Sequence, residues 1–531
     1  MLPPREIPNP FGPIPRPEFD PRAFERFPIP EFIPFPFSSE CQPKILVVTD
    51  SFLLFGTTDF GLKNFVDTLK TSLIHSMTPS VKTAHTGAAT ADYTGFNFTD
   101  ATLNINKYDV LFLFGTARSP GLPQAQVDVI ARFMQAGGGV FATGDHEELG
   151  KHMCANIPRV KSMRYWSNPN VPNGSNTTRL STNDPGVNNQ FGFNDQSDVI
   201  PQKIYPRYYL QADGLPQNSK PHQLLQHPTK SIIEVLPDHP HEGECVVPDN
   251  LTTTFVLNDV TVDEWPVDIG GSRVSPELVA LSMSYGGGFL SPTKQPLEPR
   301  SFGAIGAYDG HQGSVGRVSV DATWHHFINI NLDPAGGLPG LIGNADAYDR
   351  VHAYFRNIAE WLMPKRVRRC LIWQRLAVIR ELDPFPEIWH SKSDVFSIDG
   401  LSELGLAAEQ ALSRFMVPSA IDELKTDLLE LTMPDFVVDL KTITKDASET
   451  FGGQLFPYQA VSTVVLGAAA ATLAQALPND SDLNVMVKRM GGVEGIEKTA
   501  QKNIRKAMKE TGALLKKSVA NMDQTIQKIT V

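Results

Sequence analysis

The segment KYDVLFLFGT at residues 107–116 admits few folds. Its apolar residues are continuous rather than alternating, which suits a strand covered on both faces, as in a parallel sheet flanked by helices. Neighbouring segments repeat the theme. KILVVTD (44–50), VKTAHT (81–86) and GVFATGD (139–145) read as further strands. Between them, DFGLKNFVDTLKTSLI (59–74) places Leu62, Phe65, Val66, Leu69 and Leu73 at helical spacing, and QAQVDVIARFMQAGGG (124–139) reads as an amphipathic helix ended by glycines. This succession predicts an α/β fold built on a doubly wound, mostly parallel, flavodoxin-like sheet.

Later strands are expected in PELVALSMSYGG, RSFGAIGAYDG and GRVSVDATW, followed by a closing helix at 346–364 that Pro364 ends. The α/β domain is placed at 44–365, with a long polar insertion at about 150–275 whose Asn, Pro, Gly and Ser content breaks the rhythm. Residues 1–43 carry thirteen prolines and seven phenylalanines. Proline lacks an N–H and fixes φ, so this segment reads as an extended proline-rich arm, either lying on the protein and burying its rings or left as a flexible leader. Residues 366–531 read as mainly helical. The uncharged run 460–477 is expected to be a buried helix, with membrane insertion as the lesser alternative.

The chain has 531 residues and a net charge of -11, which argues against a general nucleic-acid binder. Its last helix is basic; membrane contact there is an alternative to a solvated face. Four widely spaced cysteines and no C-x-x-C pair predict neither a disulfide framework nor a cysteine-rich zinc site, and with no signal-like N-terminus a cytoplasmic location is expected.

Placing the strands in parallel gathers polar residues at one sheet edge. Asp50 and Ser51 follow the first strand, Thr116 and Arg118 the third, and Asp145, His146 and Glu147 the fourth. Asp309 and His311 follow AIGAY; Asp321, Trp324, His325 and His326 follow GRVSV. Open α/β sheets hold ligands at that edge. A single Asp there also serves as a helix cap, and Asp145 with Glu148 fits a capping box. If the last strand stays extended through Thr323, alternation puts Asp321, Thr323 and His325 on one face and His326 on the other. The catalytic set expected is Asp145, His146, Asp321 and His325, with Asp50, Arg118, Glu147 and Trp324 as substrate contacts.

A divalent metal such as zinc is a candidate cofactor, with His146, His311 and His325 as ligands; His239 and His241 also share a face of LPDHPHEGE. No H-E-x-x-H-type signature accompanies them. The turn after GGGVFAT offers no thiol or hydroxyl at its tip, Cys154 reads as packed, and the GGG runs match neither nucleotide-binding fingerprint.

With GGGVFATGDHE before a turn and GRVSVDATWHH before a closing helix, residues 44–364 resemble the class I glutamine-amidotransferase-like superfamily, in its trehalose-utilisation-like branch. The resemblance implies a Cys at the turn and a His after the late strand. Here Asp145 and its neighbours occupy the first place, His325 or His326 the second, so glutamine hydrolysis is not expected. The function expected is a hydrolase-like enzyme acting on a polar small molecule, with carbohydrate as one class, and with a homo-oligomeric assembly. The alternative is a non-catalytic scaffold whose arm and helical tail drive oligomerisation.

Overall fold

A computed structural model describes residues 41–145, 149–164, 166, 201–209, 219–237, 244–268, 270–284, 300–333, 344–379, 382–391, 395–432 and 458–476, together with parts of 495–513. The arm at 1–40, His146, Glu147, His239, His241, much of the polar insertion and most of the basic C-terminal helix lie outside the described residues.

Ten strands form one sheet: β1 Lys44–Thr49, β2 Ser80–His85, β3 Tyr93–Thr94, β4 Val110–Phe114, β5 Gly139–Thr143, β6 Gln202–Pro206, β7 Val235–Leu236, β8 Glu277–Ser284, β9 Arg300–Tyr308 and β10 Val318–Asp321. Their order is β7-β6-β8-β9-β10-β5-β4-β1-β2-β3. The block from β3 to β10 is parallel, while β9, β8, β6 and β7 add antiparallel neighbours. The parallel part has the flavodoxin-like arrangement, with the strand order reversing between β1 and β4. Val110–Phe114 is buried throughout, as the continuous apolar run requires of a strand covered on both faces.

Helix α1 (Lys63–Thr71) and the long α3 (Ala345–Leu362) pack on one face, and α2 (Gln124–Gln135) covers the other. Phe65 of α1 meets Phe112, Phe114, Phe327 and Phe355 edge-on at 5.1–5.4 Å between centroids, so four segments share one aromatic centre. Beyond α3 the chain is helical: α4 Lys365–Ile379, α5 Phe385–Ser391, α6 Ile398–Leu412, α7 Pro418–Thr432 and α8 Tyr458–Ala476. Val461–Ala474 of α8 is buried, which makes this the central helix of the region. No helix among the described residues is long and apolar enough to cross a membrane.

One apolar cluster runs without a break from the sheet through α3 into α4, α6, α7 and α8. A buried ionic set reinforces the join. Arg317 beside β10 contacts Asp309 at 2.7 Å and pairs with Glu423 of α7; Arg368 of α4 pairs with Glu423 and, at 3.2 Å, with Asp427. The cysteine expectation is corrected in one respect. Cys41, just before β1, is bonded to Cys370 of α4, their Cα atoms 5.8 Å apart, whereas Cys154 and Cys245 are free and buried.

Candidate functional site

The register aligns the carboxyl ends of four parallel strands. Thr49 pairs with Phe114, Phe114 with Thr143, and Thr143 with Asp321. Asp50, Thr116, Asp145 and Asp321 therefore reach one rim, as strand periodicity predicted. What each carboxylate does there differs.

Asp50 is a structural residue in large part. Its Oδ1 accepts from the Thr116 N–H at 2.6 Å, the Thr116 hydroxyl at 2.9 Å and the Ala117 N–H at 3.0 Å, tying the loop after β4 to the end of β1 at the switch point. Arg118 follows on the same loop and is exposed.

Asp321 is also committed inward. Its side chain is fully buried, with Oδ1 2.9 Å from Nδ1 of His326 and Oδ2 accepting from the Tyr354 hydroxyl at 2.7 Å. The expected face-sharing of Asp321 with His325 is corrected. The strand ends at Asp321, and the chain turns into a 3-10 segment, Trp324–Phe327, so alternation no longer applies. The Thr323 hydroxyl accepts from the His325 N–H at 3.0 Å and caps that turn, which carries His326 back under the sheet and His325 out to the rim.

His325 meets Asp145 instead. Its Nε2 lies 2.9 Å from Oδ2 of Asp145, an ion-pair distance, with the carboxylate side chain buried and the imidazole 13% exposed. Asp145 is held by its backbone: its N–H donates to Leu149 O at 3.0 Å, and Trp324 N–H donates to Gly144 O at 3.1 Å, joining the two turns directly. Arg164, from the start of the polar insertion, clamps both from below. It is fully buried, donating from Nη2 to Asp145 O at 3.2 Å, from Nε to Asp321 O at 3.2 Å, and to Ala322 O. Its guanidinium lies 4.6 Å from the Trp166 ring centroid. Burial pushes its pKa down, and the nearby Cys245 and Asp145 act in the opposite direction.

The mouth is aromatic. Trp324 is buried and stacks on the His325 ring at 4.1 Å, while Phe60 meets the same ring edge-on at 6.4 Å. Phe52 and Phe60 are 45% and 44% exposed and both pack edge-on against Trp324. Asn329 fixes this loop to the histidine turn: its Nδ2 donates to Gly56 O at 2.9 Å and Thr58 O at 2.7 Å.

His311 does not join the site. β9 runs antiparallel to β10, pairing Tyr308 with Val318, so its end lies at the opposite sheet edge. There Asp309 binds Arg317, whose charge together with Arg368 and, above all, burial holds the His311 ring far below its usual pKa. His311 and His325 therefore cannot share one ion, His146 lies outside the described residues, and among the described residues no group of three or more His, Cys, Asp or Glu side chains is arranged to hold a metal. Cys154 is buried, and that burial pushes its thiol well up, away from the thiolate form a nucleophile needs.

Sequence reasoning missed Arg164, Tyr354, Phe52 and Phe60. A lone Arg in a polar insertion and two Phe in a connecting loop carry no periodic signal, and Tyr354 lies within the expected closing helix, where it reads as one more apolar position.

No family model matches the chain, and no curated protein matches it. Among solved structures it is similar to a ThuA-like protein from Parabacteroides merdae ATCC 43184, at 11% identity and a TM-score of 0.26, over 60% of this chain and 90% of that one.

Proposed function

We propose that this protein is a hydrolase-like enzyme in which His325, oriented by Asp145, moves the proton of an attacking water at the carboxyl edge of the sheet. The observation that supports this most is the contact of His325 Nε2 with a buried Asp145 carboxylate, placed beside two exposed aromatic rings. A carboxylate at Nε2 favours the tautomer with its proton there. Nδ1 then becomes the basic nitrogen, and Asp145 stabilises the imidazolium that forms. Water attacks, His325 takes its proton, and the same proton returns to the leaving group. Arg164 fixes the backbone of both turns and so acts as a positioning residue. Phe52 and Phe60 supply apolar contact area to a substrate that is otherwise polar, and a carbohydrate, with polar edges and apolar faces, is one such class.

The experiment is a hydrolysis screen of glycosides, esters and amides with the parent protein, His325→Ala and Asp145→Asn. Turnover by the parent that falls about 10²- to 10⁴-fold in both variants supports the reading. No turnover by the parent on any class, or equal turnover by parent and variants, overturns it. The scaffold alternative predicts the former outcome together with an oligomeric mass by light scattering.

A further inference from the structure

A second cleft opens between α1, α3 and the turn after α6. It encloses about 680 Å³, within the range of small-molecule sites. Its two walls differ in hydrogen-bonding character. On the α1 wall, the Thr68 hydroxyl donates to Asn64 O at 2.8 Å, Thr71 to Asp67 O at 2.8 Å and Ser72 to Thr68 O at 2.5 Å. Each hydroxyl proton is used, so this wall presents oxygen lone pairs to the cleft. The rest of the lining includes Arg356 of α3 and, from the turn, Arg414.

The acidic groups nearby are already compensated. Asp349 lies 3.2 Å from His227 and 2.6 Å from Lys230, and Asp67 pairs with Lys63. Burial raises the Glu360 carboxyl to about 8, leaving it largely protonated near neutrality. Arg356 makes no hydrogen bond or ion pair among the described residues, yet it is only partly exposed and lines the cavity. Its charge acts on two neighbours in the cleft: with burial first, it pushes the His352 ring below its usual pKa, and it partly offsets the burial that raises Glu360. A half-buried arginine lining the same cavity as hydroxyl acceptors matches one kind of ligand.

We propose that this cleft binds a small anion that also carries hydroxyl groups, its phosphate or carboxylate on Arg356 and its hydroxyls on the Thr68 and Thr71 oxygens. Arginine forms forked, charge-assisted hydrogen bonds with such oxyanions, and the α1 wall accepts from hydroxyl donors. The cleft is distinct from the Asp145–His325 site, and binding here does not depend on that site being catalytic.

Calorimetric titration of the full chain tests it with glycerol 3-phosphate, inorganic phosphate, glycerate and glycerol. The phosphate and carboxylate members separate the two anion sources. The expected result is binding of at least one hydroxylated anion more tightly than inorganic phosphate, no binding of glycerol, and a loss of about tenfold or more in Arg356→Ala. Thr71→Val, at an exposed position, should reduce the preference for the hydroxylated anion and leave inorganic phosphate unchanged. No saturable binding by any anion, or equal binding by parent and Arg356→Ala with circular dichroism unchanged, overturns the proposal.

Discussion

The Asp321 carboxylate lies 2.9 Å from His326 and accepts the Tyr354 hydroxyl at 2.7 Å, locking the end of β10 onto the middle of α3. Because every partner is buried, removing one leaves an unsatisfied group away from water. Tyr354→Phe should cost about 1–3 kcal/mol in urea unfolding, and Asp321→Ala about 3–5 kcal/mol. His325→Ala, at a position 13% exposed where water can reach Asp145, should cost less than Asp321→Ala. An inverted order would mean that the rim pair, not this one, is the structural pair.

Phe52 and Phe60 are exposed while resting on Trp324, so they are available to a substrate without being needed for the core. For any substrate turned over, Phe52→Ala and Phe60→Ala should each raise KM about 2- to 10-fold, the range of an aromatic contact of about 0.5–1.5 kcal/mol. A fall in kcat with KM unchanged would place these rings in the chemistry rather than in binding.

Two histidines, the half-buried His222 and the buried His311, set an acid limit. Desolvation, with Arg317 beside it, lowers His222 from 6.5 to about 4, and burial, Arg317 and Arg368 hold His311 well below its usual value. The unfolded chain takes up these protons near pH 6.5, whereas the folded chain does not until much lower pH. Stability is therefore full above about pH 6.5 and falls as pH drops toward 4. Thermal unfolding across that window should show a shallower fall in His222→Gln and His311→Gln than in the parent.

Helices α6 and α8 cross at glycines. A Cβ on Gly467 would sit 1.9 Å from Leu401 O, and one on Gly405 2.1 Å from Thr463 O, so neither helix can keep its place if a methyl is added. Gly467→Ala should lower Tm through overpacking of about 1–3 kcal/mol, although alanine favours helix in isolation. An unchanged or higher Tm would show that the helices separate without loss.

The parallel core was legible because Val110–Phe114 and its neighbours have one reading under hydrophobic periodicity, and that reading also set Asp50, Asp145 and Asp321 at one rim. Direction is not encoded that way. β9 has the composition of its neighbours but runs the other way, which carries Asp309 and His311 to the far edge. Nor does alternation reveal where extension stops. One residue of strand more or less decides whether Asp321 meets His325 or His326, and the Thr323 cap decides it in favour of His326. Arg164 is silent for a related reason: its bonds are to carbonyl groups of distant turns, which any sequence supplies.

The Cys41–Cys370 bond turns the described α/β fold into a covalent loop whose closure lies between the root of the proline-rich arm and α4. Topologically the molecule is a ring with two tails. A single protease cut anywhere between the two cysteines would leave both pieces in one band on a non-reducing gel and release them only with reductant. A cut beyond Cys370 would release its fragment without reductant. The ring also fixes the chain at Cys41 to the helical region at α4 by a bond independent of the packing between them.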